Sequence, residues 1–116
     1  MTKITRVTTV SHLAEFLNAT SRATVAWSHD GQIVAEPVAF RFKGGKYLIG
    51  TPPEHLAADA VVAVLIDDGS MYFDLRGVRI RGPTTAMEEG HGGGLSWFEV
   101  KPEREVAWHY GILRER

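Results

Sequence analysis

The chain has 116 residues, 13 Lys plus Arg against 14 Asp plus Glu, and hydrophobic and charged fractions of 44% and 23%, as in an ordinary globular protein. That length supports one domain over residues 1–116 with a closed core, and the near-neutral charge supplies no overall field to draw the protein to nucleic acid. The absence of cysteine excludes disulfides, thiolate nucleophiles and cysteine-ligated zinc or iron–sulfur sites.

The opening segment MTKITRVTTVSHL lacks the apolar stretch of a signal peptide, and no run approaches the roughly 18 apolar residues of a membrane span. A cytoplasmic protein with no membrane partner is therefore expected. Residues 9–18 read as a helix, with Val10, Leu13, Phe16 and Leu17 at helical spacing and Ser11 as the capping hydroxyl. This helix is expected to lie as a lid on a sheet.

From there the pattern turns to β. Residues 23–28 form a short apolar run closed by Asp30-Gly31, a hairpin turn signal. Residues 33–43 alternate from Val38 through Phe40 and Phe42, and then meet Gly44-Gly45, a second turn. Residues 46–50 return as a third strand. Thr51-Pro52-Pro53-Glu54 has capping-box spacing with proline in the first turn, which predicts a two-turn helix over residues 51–59. Residues 61–66 and 71–81 flank Asp67-Asp68-Gly69-Ser70 as another hairpin, residues 89–94 form a glycine-rich surface loop, and residues 95–101 and 105–110 close the chain as strands. About seven strands with one or two short helices, and no long internal repeat, predict an all-β barrel of meander and Greek-key connections.

Few side chains suggest catalysis. The histidines at 12, 29, 55, 91 and 109 have no metal-binding helical spacing, so no metal is expected; His55 and His109 are the two placed nearest a groove. His91-Gly92-Gly93-Gly94 has the composition of an oxyanion loop, but no Gly-x-Ser-x-Gly elbow accompanies it, and a flexible loop is the simpler reading. Asp67 and Asp68 read as turn residues. Trp97, Phe98, Trp108 and Tyr110 are expected to fill a subunit interface or stack on a flat ring, the interface being preferred. In a regular strand Arg79 and Arg81 share one face and Arg76 takes the other, unless Gly77 introduces a bulge. These arginines suit either an anion or a solvated face paired with Asp74 or Glu88.

Four segments, in order, carry a resemblance: residues 31–40, Gly-Gln-Ile-Val-Ala-Glu-Pro-Val-Ala-Phe; residues 47–51, Tyr-Leu-Ile-Gly-Thr; residues 76–82, Arg-Gly-Val-Arg-Ile-Arg-Gly; and residues 106–111, Val-Ala-Trp-His-Tyr-Gly. From about Leu13 to Tyr110 the chain resembles the pyridoxamine 5'-phosphate oxidase-like flavin-binding split barrels. The resemblance implies a homodimer with FMN, or a deazaflavin, in a groove at the interface, and an oxidoreductase whose substrate it does not name. It places the backbone of Pro37, Val38, Ala39 and Phe40 beside the flavin ring, Gly50 and Thr51 near the ribityl phosphate, and Arg79 and Arg81 among the available cations. Independently of any family, proline within a strand deletes a ladder hydrogen bond, so Pro37 requires an edge, a bulge or a ligand.

The sequence departs from the family where the phosphate would sit. Members that hold FMN follow the Thr-ended strand with a serine and a lysine on a longer helix; here Pro52 and Pro53 offer no N–H, and Glu54 adds negative charge. Either arginines of the long strand supply the phosphate contacts, or the barrel is a non-catalytic homodimer that has lost flavin and binds another small molecule or a protein partner.

Overall fold

The computed structural model describes residues 7–57, 59–69, 75–88 and 93–109. Within them lie eight strands, β1 (Val7–Thr8), β2 (Arg22–His29), β3 (Gln32–Lys43), β4 (Lys46–Thr51), β5 (Val61–Asp68), β6 (Arg76–Ala86), β7 (Ser96–Val100) and β8 (Arg104–His109). One helix, α1 (Ala14–Ala19), follows a 3-10 turn at Val10–Leu13. Every pairing is antiparallel, in the order β1-β8-β6-β5-β2-β3-β4-β7, and a further β6–β7 pairing closes six of the strands into a barrel.

Alternation along the strands fills this barrel. Val25, Val38, Phe40, Ile49, Val62, Val64, Ile66, Val78, Ile80 and Val100 all point inward and are buried. Each such side chain contributes about 1.5–3 kcal/mol by leaving water. Leu13, Phe16 and Leu17 of the helical segment join the same core, so the segment does act as a lid. Ser11 is not its cap. The chain begins to turn at Val10 with Thr9 as the N-cap, and the Ser11 hydroxyl bonds the Thr9 hydroxyl at 3.1 Å.

The β2–β3 and β3–β4 hairpins form as expected. Asp30 and Gly31 have φ of 50° and 78°, and Gly44 and Gly45 have φ of 60° and 77°, the positive values that two-residue hairpin turns demand. The helix predicted over residues 51–59 does not form. Thr51 is instead the last residue of β4, paired with Ser96, and Glu54 and Asp59 take positive φ, which no right-handed helix accommodates. The segment makes isolated turns, His55 N–H to the Pro52 carbonyl and Ala60 N–H to the Ala57 carbonyl. It carries the chain from β4 past β3 and β2 to β5 while burying Leu56 in the core.

Two strands each serve two partner sets. The first half of β3 pairs with β2 through Arg22↔Ala39 and the second half pairs with β4 from Ala39↔Gly50 onward, so Ala39 belongs to both ladders. Likewise β6 pairs with β8 from Arg76 to Arg81 and with β7 from Thr84 to Ala86. The strand expected to end at Arg81 thus continues to Ala86, because the chain after β7 crosses it. Lys101 N–H donates to the Pro83 carbonyl and Glu103 N–H to the Arg81 carbonyl, and a Cβ on Gly82 would overlap the Lys101 carbonyl oxygen. The start of that strand at residues 71–74 and most of the glycine-rich loop, residues 89–92, lie outside the described residues.

Candidate functional site

Phe40 N–H donates to the Ser21 carbonyl, so even-numbered residues of β3 direct their amides toward β2 and odd-numbered ones toward the opposite edge. Pro37 is odd-numbered and stands two residues before the first β4 pair at Ala39↔Gly50. Its missing N–H therefore costs no ladder bond, since it would face an edge that β4 does not cover. A cleft of ≈ 320 Å³ opens at this point, where β3 changes partner.

Pro37, Val38, Ala39 and Gly50 line that cleft together with Arg22, Pro52 and Leu95. Val38 presents its main chain, because its side chain lies in the core. Gly50 has no room for a side chain: an added Cβ would stand 2.8 Å from the Trp97 indole packed across from it. Arg22 was not singled out from the sequence. It precedes an apolar run, and only the pairing Arg22↔Ala39 brings it to the proline-bearing edge. Leu95 arrives from the far end of the chain through the β4–β7 ladder.

Phe40 and Thr51 are placed differently. Phe40 is 1% exposed, inside the barrel, and so meets the cleft at most through its backbone. Thr51 is 0% exposed, and its hydroxyl donates to the Pro52 carbonyl at 3.2 Å. With no helix following it, Thr51 does not head a phosphate-binding helix N-terminus.

Arg79 and Arg81 do not reach this cleft. Both are exposed on the outer face of β6 and line a different depression of ≈ 250 Å³ with Arg104 and Val106 of β8 and Ala63 of β5. Arg76 takes the opposite phase, and the unbroken registers Asp67↔Gly77 and Gly77↔Trp108 leave no bulge at Gly77. Its guanidinium makes a two-pronged pair with Asp68, Nε to Oδ1 at 2.8 Å and Nη2 to Oδ2 at 3.0 Å, and lies over the Phe16 ring at 4.7 Å. Hydrogen bonding to Asp68 raises the Arg76 pKa further above its ordinary value. The expected partner Asp74 lies outside the described residues, and Asp68 is the end of β5, not a turn residue.

No protein-family model and no curated protein sequence matches the chain. Solved structures do. A conserved hypothetical protein from Mycobacterium tuberculosis superposes with a TM-score of 0.77 at 20% identity, over 94% of this chain and 89% of its own. An FAD-binding protein from Mycobacterium smegmatis gives 0.72 at 14% identity, over 87% and 96%. A Corynebacterium glutamicum protein provisionally assigned as a pyridoxamine 5'-phosphate oxidase gives 0.70 at 13% identity, over 93% and 94%. The chain has the split-barrel fold of these structures.

Within this split barrel the remaining candidates have structural partners. Tyr47 points into the core, and its hydroxyl donates to Glu105 Oε2 at 2.7 Å; burial first, and then the bond and charge of Glu105, push its pKa far above the ordinary phenol value. His55 Nδ1 lies 3.0 Å from Glu36 Oε1, which ties the segment after β4 to β3 next to Pro37. His109 sits beside His12 with ring centroids 6.2 Å apart, away from the cleft-lining residues. Trp97 and Phe98, expected at a subunit interface, are each only 5% exposed in the single chain: Trp97 packs on Gly50 with the Arg41 guanidinium over its ring, and Phe98 belongs to the barrel core. Tyr110 lies outside the described residues.

Proposed function

We propose that this split barrel binds a flavin-type cofactor, FMN or a deazaflavin, in the cleft between β3 and β4, and acts as a cytoplasmic homodimeric oxidoreductase. The carrying observation is that Pro37, Val38 and Ala39 of β3 and Gly50 of β4 line one open cleft with Arg22 of β2 and with apolar walls at Pro52 and Leu95. A flat ring suits such a surface: Pro52 and Leu95 offer apolar contact, and β3 has an open edge where Pro37 gives up its N–H. The fold shared with the FAD-binding protein of Mycobacterium smegmatis supports the same reading.

The residues present fit the ring better than they fit a phosphate. Arg22 is the cation lining the cleft, and it takes the role that the serine and lysine of the family pattern leave vacant. A bound flavin would supply the electron transfer, so the protein's task is to orient the ring and keep water from it, without a nucleophile or general base of its own.

Titration of the purified protein with FMN, riboflavin, FAD and the deazaflavin, followed by fluorescence quenching, tests this reading. FMN is expected to bind more tightly than riboflavin, and Arg22→Ala to weaken FMN about tenfold, the worth of a charge-assisted hydrogen bond, while leaving riboflavin unchanged. One observation favours the second reading, a split barrel without flavin: the Thr51 hydroxyl is engaged with Pro52, and no helix N-terminus follows. Absence of binding by all four compounds would establish that reading and remove the first.

A further inference from the structure

Three arginines converge at the place where β6 leaves β8 for β7. Arg81 stands directly opposite Arg104 across the β6–β8 ladder, and Arg79 lies two residues along on the same face, opposite Val106. Like charges placed directly opposite on a sheet destabilise it. Even so, none of the three forms an ion pair or hydrogen bond with an acidic side chain among the described residues. Together they line one depression of ≈ 250 Å³ whose other walls include Ala63, Ile80 and Val106.

We infer that Arg79, Arg81 and Arg104 form a binding site for a phosphate-bearing anion, separate from the cleft at β3 and β4. Two strands, β5 and β2, separate β6 from β3 in the sheet, and the two depressions share no residue. An anion bound between the three arginines would relieve the repulsion built into this register. A phosphoryl group carries close to two charges and three acceptor oxygens, against one charge and two oxygens for a carboxylate, and so uses three guanidinium forks more fully. The volume is roughly eight times the ~30 Å³ that a water occupies in the liquid, room for a phosphomonoester or a diphosphate. In the reading above the flavin's own phosphate meets Arg22 in the other cleft, so the group here belongs to a second ligand.

Calorimetric titration of the full chain with inorganic pyrophosphate at low salt tests the site. The expected result is saturable binding of one pyrophosphate per chain, weakened at least tenfold in Arg104→Gln and in Arg81→Gln and unchanged in Lys43→Gln, an exposed cation elsewhere on the barrel. Thermal melts of each variant confirm folding, and pyrophosphate should raise the melting temperature of the wild type but not of Arg104→Gln. No saturable binding, equal loss in Lys43→Gln, or succinate binding as tightly as pyrophosphate would overturn the assignment. Once pyrophosphate binding is established, FMN tests the separation of the two sites: simultaneous binding is expected, and competition would overturn a site distinct from the β3–β4 cleft. Riboflavin binding depends only on the β3–β4 cleft, so it reports failure of the flavin reading independently.

Discussion

Gly82 lies where β6 exchanges β8 for β7, and the returning chain crosses so closely that the Lys101 carbonyl occupies the space of a Cβ. Both crossing segments are backbone held by hydrogen bonds, so neither can yield cheaply. Gly82→Ala is expected to destabilise the fold by about 3 kcal/mol or more, read as a lower urea midpoint, which is at the upper end of overpacking costs. Tyr47 is a second residue on which stability depends. Removing its hydroxyl in Tyr47→Phe forfeits one bond to Glu105 at a cost of about 1 kcal/mol. The raised pKa also has a direction in pH: above about 10 an unfolded tyrosine loses its proton while buried Tyr47 keeps it. The folded state then binds more protons than the unfolded one, so this contribution is complete below pH ~10 and declines as pH rises. Urea titrations from pH 8 to 11 should show a steeper alkaline loss in the wild type than in Tyr47→Phe.

Among the elements, the hairpins were legible because their turns are written locally: Asp30-Gly31 and Gly44-Gly45 supply the positive φ values that the turns need. The segment after β4 was misread for the opposite reason. Its Thr-Pro-Pro-Glu pattern is a genuine helix signal, but Thr51 is claimed by the β4–β7 ladder and Glu54 by a left-handed conformation, so a tertiary pairing overrode the local preference. Leu56, 6% exposed against the barrel core, holds the segment together with the His55–Glu36 contact. Leu56→Ala should cost about 2–5 kcal/mol by denaturant unfolding, the range for truncating a buried leucine. A helix held by its own cap would have depended on Thr51 and Glu54 instead. Tryptophans also take element-scale roles: Trp97 lies across from Gly50 and Trp108 across from Gly77, each ring filling the space that a glycine leaves on a neighbouring strand.

The barrel as a whole leaves part of its outer face apolar. Ile33 is 84% exposed and Val61 48%, and with Trp27, Ala26 and Ala63 they line a depression of ≈ 350 Å³ beside Arg81. An exposed patch of this kind favours the proposed homodimer over a free monomer. Light scattering on the purified protein is expected to report a dimer, and Ile33→Asp to shift it toward monomer, since burying an unpaired carboxylate is costly. A dimer unaffected by Ile33→Asp would place the contact on another face.

Residue order alone determined the all-β class, the hairpins and the helical lid, because each rests on short-range turn chemistry or on the period of the apolar positions; the split-barrel resemblance rested on four matching segments in order. It also marked Pro37, Val38, Ala39 and Gly50, which the structure brings to one cleft. Only the tertiary structure decided that Arg79 and Arg81 join Arg104 on another part of the surface, that Arg22 serves the cleft, and that Phe40 and Thr51 are buried. Strand phase can be read from a sequence, but which strands become neighbours depends on how β3 and β6 change partners. That exchange is settled by the close crossing at Gly82 and the shared pairing at Ala39, contacts between segments far apart in the chain.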